Sequence, residues 1–177
     1  MIKLKAAQLR TTKPSKKDLA KIKRREVYFI LEDVLDTYNV GGIFRLADAI
    51  GVKKVFLCGQ TETPPNPRIK KASINTTEWV TWEYAQSAEK TIRNLKLEIR
   101  NLAVVAVEQD SRSVPYTEID YKLPLALIVG NETTGCSQDV LKLCDSIAEI
   151  PMWGVNKSLN VIVSLSTVSY KAVESLS

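Results

Sequence analysis

The sequence contains no histidine. That excludes Ser–His and Cys–His nucleophile pairs and leaves acid–base work to other side chains. Cysteine is scarce: Cys58, Cys136 and Cys144 are odd in number and show no Cys-x-x-Cys spacing. Such usage fits a reducing cytoplasm and argues against a structural zinc site, so no metal is expected. No apolar run is long enough to span a bilayer and no signal-peptide pattern is present, so a soluble intracellular protein without a membrane partner is expected. Gly-x-Gly-x-x-Gly is missing too, which argues against a nicotinamide dehydrogenase. There is no internal repeat and no low-complexity segment. The 177 residues predict one domain with room for a substantial core.

Charge is present but unevenly placed. Lys and Arg number 25 against 20 Asp and Glu, a net +5. Residues 1–25 hold ten of the basic residues and one acid, Asp18, so the remainder is slightly acidic. A basic N-terminal arm, 1–25, on a single domain, 26–177, points to a polyanionic partner. Lys13, Lys16, Lys17, Lys21 and Arg24 in the arm, with Arg68 after a Pro-rich stretch, are the candidate RNA contacts. A solubilising tail is the alternative. The arm has no aromatic residue, so base stacking is not expected from it.

Short apolar runs read as strands over 27–31, 54–58, 102–107, 125–129 and 146–150, with a weakly alternating one over 78–84. Trp79 and Trp82 in the last are expected in the core. Helices are expected over 15–25, from a cap at Asn39, over 87–100, from about Ser137, and over 159–173 from a cap at Ser158. Strands alternating with helices predict an α/β fold, a mostly parallel sheet with helices on both faces.

Three stretches carry the chemistry. In 150–163, Pro151 and Gly154 forbid regular helix, and an apolar helix then begins beside Asn160. Being apolar on nearly every side, it is expected to be buried all round. A loop with free carbonyls feeding such a helix suits a small cofactor; a core helix with an ordinary cap is the other reading. In 39–49, Gly41 and Gly42 cost helix stability, which close approach of a backbone or ligand would justify. Arg45 beside them either grips a phosphate or carboxylate or pairs with Asp48. After the strand 125–129, Gly130 to Ser137 forms a polar loop in which Glu132 either serves chemistry or caps the next helix.

These strings resemble the three motifs of SpoU-type RNA ribose 2′-O-methyltransferases of the SPOUT superfamily. Asn39-Val40-Gly41-Gly42-Ile43-Phe44-Arg45-Leu46-Ala47-Asp48-Ala49 is similar to the first. Gly130, Glu132, Gly135 and Ser137 match the second, with Thr133 where Gly is usual and Cys136 where Leu is usual. Ile150-Pro151-Met152, Gly154 and Ser158-Leu159-Asn160-Val161 match the third. The resemblance covers about 27–174, in family order. It implies a Rossmann-like sheet with a deep C-terminal trefoil knot, about 125–177, and a homodimer. It implies transfer of a methyl group from S-adenosyl-L-methionine to a ribose 2′-hydroxyl of tRNA or rRNA. Arg45 would be the central catalytic residue, with Asn39, Glu132, Ser158 and Asn160. Gly130, Ile150, Met152 and Leu159 would hold the cofactor. An inactive RNA-binding module of the same fold is the alternative, and the short arm tilts the substrate toward tRNA.

Overall fold

The computed structural model describes residues 6–9 and 14–176; Lys13 lies outside them. The strands are β1 (Arg25–Glu32), β2 (Val52–Cys58), β3 (Trp82–Ala85), β4 (Ala103–Val107), β5 (Val114–Pro115), β6 (Leu125–Val129) and β7 (Ser146–Glu149). The helices are α1 (Ala6–Leu9), α2 (Lys16–Leu19), α3 (Thr37–Ile50), α4 (Pro67–Ser73), α5 (Ala88–Glu98), α6 (Gln138–Leu141) and α7 (Val161–Ser175), with a 3-10 turn at Thr76–Glu78. None is long and apolar enough to cross a membrane.

The sheet runs β3-β2-β1-β6-β4-β7-β5, and each of these pairings is parallel. One row crosses it through Val55, Phe29, Leu127 and Val105. The next row crosses through Phe56, Ile30, Ile128 and Ala106. One residue along a strand reverses the side-chain direction, so the two rows feed different cores. The first packs with Val40, Ile43 and Phe44 of α3 and Leu165 and Val168 of α7. The second packs with Ile92 and Leu95 of α5 and Val140 of α6. Burial on both faces explains why these strands read as unbroken apolar runs.

β6 enters late in the chain yet sits between β1 and β4, so neighbouring strand ends lead to different regions of the sequence. Such a switch point opens a crevice at the carboxyl ends of the strands. The loops after β4, β6 and β7 meet there, and the loop after β1 is hydrogen-bonded to the β6 loop.

α3 is held between α4 and α7 by its two glycines. A Cβ on Gly41 would meet Ala72 Cβ, Ile69 O and Ser73 N of α4 and its C-cap turn, the two backbone atoms at 2.8 and 3.0 Å. A Cβ on Gly42 would strike the Cδ1 of Ile162 in α7. The approach that justifies these glycines is therefore helix on helix.

Several boundaries differ from expectation. The arm helix shrinks to α2, which buries nothing and so has no tertiary packing to extend it. The Pro-rich stretch ends in a helix, α4, because Asn66 Oδ1 accepts from the N–H of Arg68 and Ile69 and Pro67 opens the first turn. The expected strand 78–84 divides into the 3-10 turn and β3. Trp79 and Trp82 are partly buried against the core. α3 is capped by Asp36, whose Oδ1 accepts from Tyr38 N–H at 2.7 Å, and Asn39 is buried inside its first turn. α7 is capped by Asn160, not Ser158. Nor is α7 buried all round: Val163 and Tyr170 are 49% and 48% exposed.

Candidate active site

The loops at the switch point enclose a cleft of about 450 Å³. Its apolar lining includes Val107, Val129, Ile150, Met152 and Leu159; its polar lining includes Glu108, Gln109, Glu132, Ser158 and Asn160.

The loop after β6 is a tight hairpin. Asn131 and Gly135 exchange backbone hydrogen bonds of 3.2 and 2.9 Å. Asn131 Oδ1 accepts from the N–H of Thr133 and Thr134, and its amide donates to Asp33 O. Gly130 is closely covered by this hairpin, since a Cβ there would collide with the backbone of Gly135 and Cys136. Gly135 has φ +69°, the left-handed region in which side chains are strained. Thr133 is not at positive φ, so its backbone has no need of the usual Gly. Cys136 is buried with Ile128 and Val140, where it does the apolar work of a Leu.

Glu132 projects from this hairpin toward α3. Its carboxylate accepts from the N–H of Leu35 at 3.1 Å, the N–H of Asp36 at 3.0 Å and the Asn39 amide at 2.9 Å. Partial burial pushes its pKa up, but these hydrogen bonds outweigh that and hold it below the ordinary carboxylate value. It thus braces the entry to α3 rather than capping α6, whose cap is Ser137. Asn39 Oδ1 accepts in turn from Asn160 Nδ2 at 3.0 Å. Asn160 Oδ1 accepts from Ile162 N–H at 2.9 Å and so starts α7. Glu132, Asn39 and Asn160, one from each of three distant strings, form one hydrogen-bonded line.

The third loop is tied down at two points. Asn156 Oδ1 accepts from both the N–H and the hydroxyl of Ser158, each at 3.0 Å, a local turn that replaces the expected helix cap. Gln109 donates from Nε2 to Lys157 O at 2.8 Å and so ties the β4 loop to the β7 loop.

Arg45 does not line the cleft. It is exposed on α3, and no described residue bonds its guanidinium. The alternative pairing with Asp48 does not form. Asp48 instead accepts from Trp79 Nε1 at 2.8 Å and lies 3.7 Å from Arg24. Arg24 therefore departs from the other basic candidates. Its side chain is only 20% exposed and donates to Trp79 O. Burial lowers its pKa while Asp48 raises it. Lys16, Lys17, Lys21 and Arg68 are exposed. Among the described residues, no group of three His, Cys, Asp or Glu side chains is placed to hold a metal.

Residues 26–170 match the model of the SpoU rRNA Methylase family. The chain belongs to that family. It is similar to the tRNA (guanosine(18)-2'-O)-methyltransferase of Aquifex aeolicus, 30% identical over 85% of this chain and 70% of the relative. The Escherichia coli K12 protein of the same name is 31% identical over 80% of this chain and 60% of its own length. Among solved structures, the A. aeolicus TrmH/SpoU tRNA modifying enzyme superposes with a TM-score of 0.79 at 25% identity, covering 96% of this chain and 81% of that one. The AdoMet-bound rRNA methyltransferase of Sinorhizobium meliloti superposes with a TM-score of 0.79 at 29% identity, covering 88% and 59%. This SpoU-family chain thus places Gly130, Glu132, Ile150, Met152, Ser158, Leu159 and Asn160 around one cleft, joins Asn39 to them, and leaves Arg45 apart.

Glu108, Gln109 and Asn156 escaped the sequence reading. Glu108 accepts from Cys136 N–H at 3.0 Å and holds the hairpin, though it is far from it in sequence. Only its place at a strand end signalled it. Asn156, two residues before Ser158, carried a local turn signal.

Proposed function

We propose that this cleft is the seat of methyl transfer from S-adenosyl-L-methionine to a ribose 2′-hydroxyl of tRNA or rRNA, with Arg45 as the catalytic residue. The chain is an RNA 2′-O-ribose methyltransferase, in keeping with its family and with named relatives about 30% identical over most of its length. The observation that carries the role assignment is the convergence of Glu132, Asn39 and Asn160 in one hydrogen-bonded line beside the cleft.

The cleft fits the cofactor. Its volume of about 450 Å³ lies in the usual range for small-molecule sites. Val107, Val129, Ile150 and Leu159 offer apolar walls for a purine. The N–H groups of Met152 and Leu159 bond to no described residue and remain for a ligand. Gly130, Ile150, Met152 and Leu159 would hold the molecule, with Gln109 keeping the β7 loop in place. When bound, S-adenosylmethionine supplies an electrophilic methyl group on a sulfonium, so the protein must align and activate the hydroxyl.

Arg45, exposed on α3 outside the cleft lining, is the residue we assign to the activation, with the RNA bound across the cleft mouth so that its 2′-hydroxyl reaches the guanidinium. A guanidinium donates hydrogen bonds and accepts none. Its free N–H groups stabilise negative charge developing on the 2′-oxygen while the proton leaves to solvent or a neighbouring RNA phosphate. Glu132 is a poor base, because three donors hold its carboxylate and depress its pKa. It serves with Asn39 and Asn160 to fix the helix that carries Arg45, and Ser158 positions the loop opposite.

A homodimer completes the reading. Val163 and Tyr170 stand outward seven residues apart on α7, and Trp153 and Val155 are almost fully exposed on the loop that leads into it. A second copy of this chain is the occupant we propose for that face. The trefoil knot implied by the resemblance belongs to the same reading, with α7 packed on α3, β6 and β4. Lys16, Lys17, Lys21 and Arg68, with Lys13, would meet RNA phosphates. The three free thiols support a cytoplasmic location. Cofactor titration with Leu159→Asp tests the cleft assignment: affinity falls at least tenfold if Leu159 lines the cofactor site, whereas unchanged affinity contradicts it.

A further inference from the structure

A second cleft lies on the other side of Glu132. It is lined by Leu35, Asp36, Thr37, Tyr38, Glu62, Asn66, Pro67 and Arg68, between the start of α3 and the start of α4. Two large apolar side chains stand open on it, Leu35 at 48% and Tyr38 at 52% exposure. Arg68 is exposed and its guanidinium has no partner among the described residues. Lys70 and Lys71 follow it on α4 and are also exposed.

The position of this cleft is fixed by the site already described. Glu132 lines the first cleft and, through the N–H groups of Leu35 and Asp36, holds a wall of the second. Tyr38 precedes Arg45 by seven residues on α3. Seven residues are close to two full turns, so both side chains lie on one stripe, about 10 Å apart along the axis. Gly41 and Gly42, where α4 and α7 approach, sit between them on the same face, yet Tyr38 and Arg45 both remain exposed, so the stripe runs open between the two neighbouring helices. An open aromatic ring on the same stripe as a free guanidinium, with cations at its edge, has the chemistry of a platform for single-stranded RNA.

Resting on the proposed methyltransferase reading, we infer that this second cleft binds a nucleotide of the RNA substrate, its base stacked on Tyr38 and packed against Leu35, and an adjacent phosphate held by Arg68. The nucleotide is the target or its immediate neighbour, because the cleft begins one carboxylate away from the methyl-transfer site. Tyr38 here is a binding residue for RNA with no part in the chemistry. Stacking tolerates any base, so the cleft supplies affinity and register, while Glu62 at its rim offers an acceptor to an exocyclic amine.

The test compares Tyr38→Ala, Tyr38→Phe and Arg68→Ala in the full chain. KM for unmodified RNA, kcat, cofactor affinity and oligomeric state are measured together. Tyr38→Ala is expected to raise the RNA KM on the order of tenfold, with cofactor affinity and oligomeric state unchanged. Tyr38→Phe keeps the ring and restores the wild-type KM. Arg68→Ala raises KM and flattens its salt dependence by about one phosphate contact. An unchanged RNA KM in Tyr38→Ala overturns the inference. So does a loss confined to cofactor binding or to oligomeric state, which would make Tyr38 a wall of the first cleft or part of a subunit interface. Direct binding of unmodified tRNA and rRNA is measured in parallel. If the wild-type protein transfers no methyl, the methyltransferase reading fails, but weaker RNA binding by Tyr38→Ala still supports the cleft and equal binding still overturns it.

Discussion

Arg45 and Asn39 sit on the same helix and do opposite kinds of work. Arg45 is exposed and makes no bond to a described residue. Arg45→Ala is therefore expected to fold with stability within about 0.5 kcal/mol of wild type. Methyl transfer is expected to fall by about 100-fold or more, the usual scale for losing one charge-stabilising donor; thermal unfolding and turnover read the two effects separately. Asn39 is buried, with both ends of its amide engaged, by Glu132 and by Asn160. Asn39→Ala leaves both partners short and is expected to lower stability by about 1–3 kcal/mol, seen in denaturant unfolding. The pH dependence follows from Glu132. Its pKa is depressed in the folded protein, so its stabilisation is present above the unfolded value of about 4.3. That contribution is lost as pH falls through the lower folded value. Glu132→Gln is expected to flatten the decline in Tm below about pH 4.3. An acid limb as steep as wild type would show that Glu132 carries no such linkage.

At the scale of elements, α3 separates two glycines that look alike in the sequence. An added methyl at Gly41 meets the backbone of α4 at Ile69 O and Ser73 N, 2.8 and 3.0 Å away, and backbone cannot step aside. Gly41→Ala is expected to cost about 1–3 kcal/mol. At Gly42 the obstacle is the tip of Ile162, a flexible side chain. Gly42→Ala is expected to be near neutral, because the methyl group's gain in helix propensity, up to about 1 kcal/mol, offsets the rearrangement. Chemical denaturation of the two variants checks the contrast. The sequence predicted that close approach would justify these glycines, but which neighbour approached was not legible. Strands 125–129 and 102–107 were legible almost to the residue, because burial on both faces leaves an unbroken apolar run. The helix starts were less so. Asn39 and Ser158 are good caps by type, yet Asp36 and Asn160 cap the helices. The cap is decided by where the chain enters, and Glu132 and Asn156, each outside its helix, set that entry. α4 was missed because three prolines masked a cap at Asn66.

For the whole molecule, the seven-stranded parallel sheet brings residues from three separated strings to one edge, and no local pattern contains that fact. The resemblance stood in for it at the sequence level by naming the strings together. The pairing of Asn39 with Glu132 and Asn160, and the two clefts that Glu132 divides, required the fold. The proposed role of the basic arm belongs to this scale too. RNA affinity is expected to fall with rising salt, and removing residues 1–23, which leaves Arg24 and β1 in place, is expected to reduce that slope without changing cofactor affinity. Equal slopes would return the arm to a solubilising tail. The most direct test of the whole account is transfer of labelled methyl from S-adenosylmethionine to unmodified tRNA and rRNA, with Arg45→Ala in parallel. The account predicts label in one RNA, at a linkage that resists alkali because its 2′-oxygen is methylated, and loss of that label in the variant. Full labelling by the variant, or no label in either RNA from a protein that binds both cofactor and RNA, would contradict it.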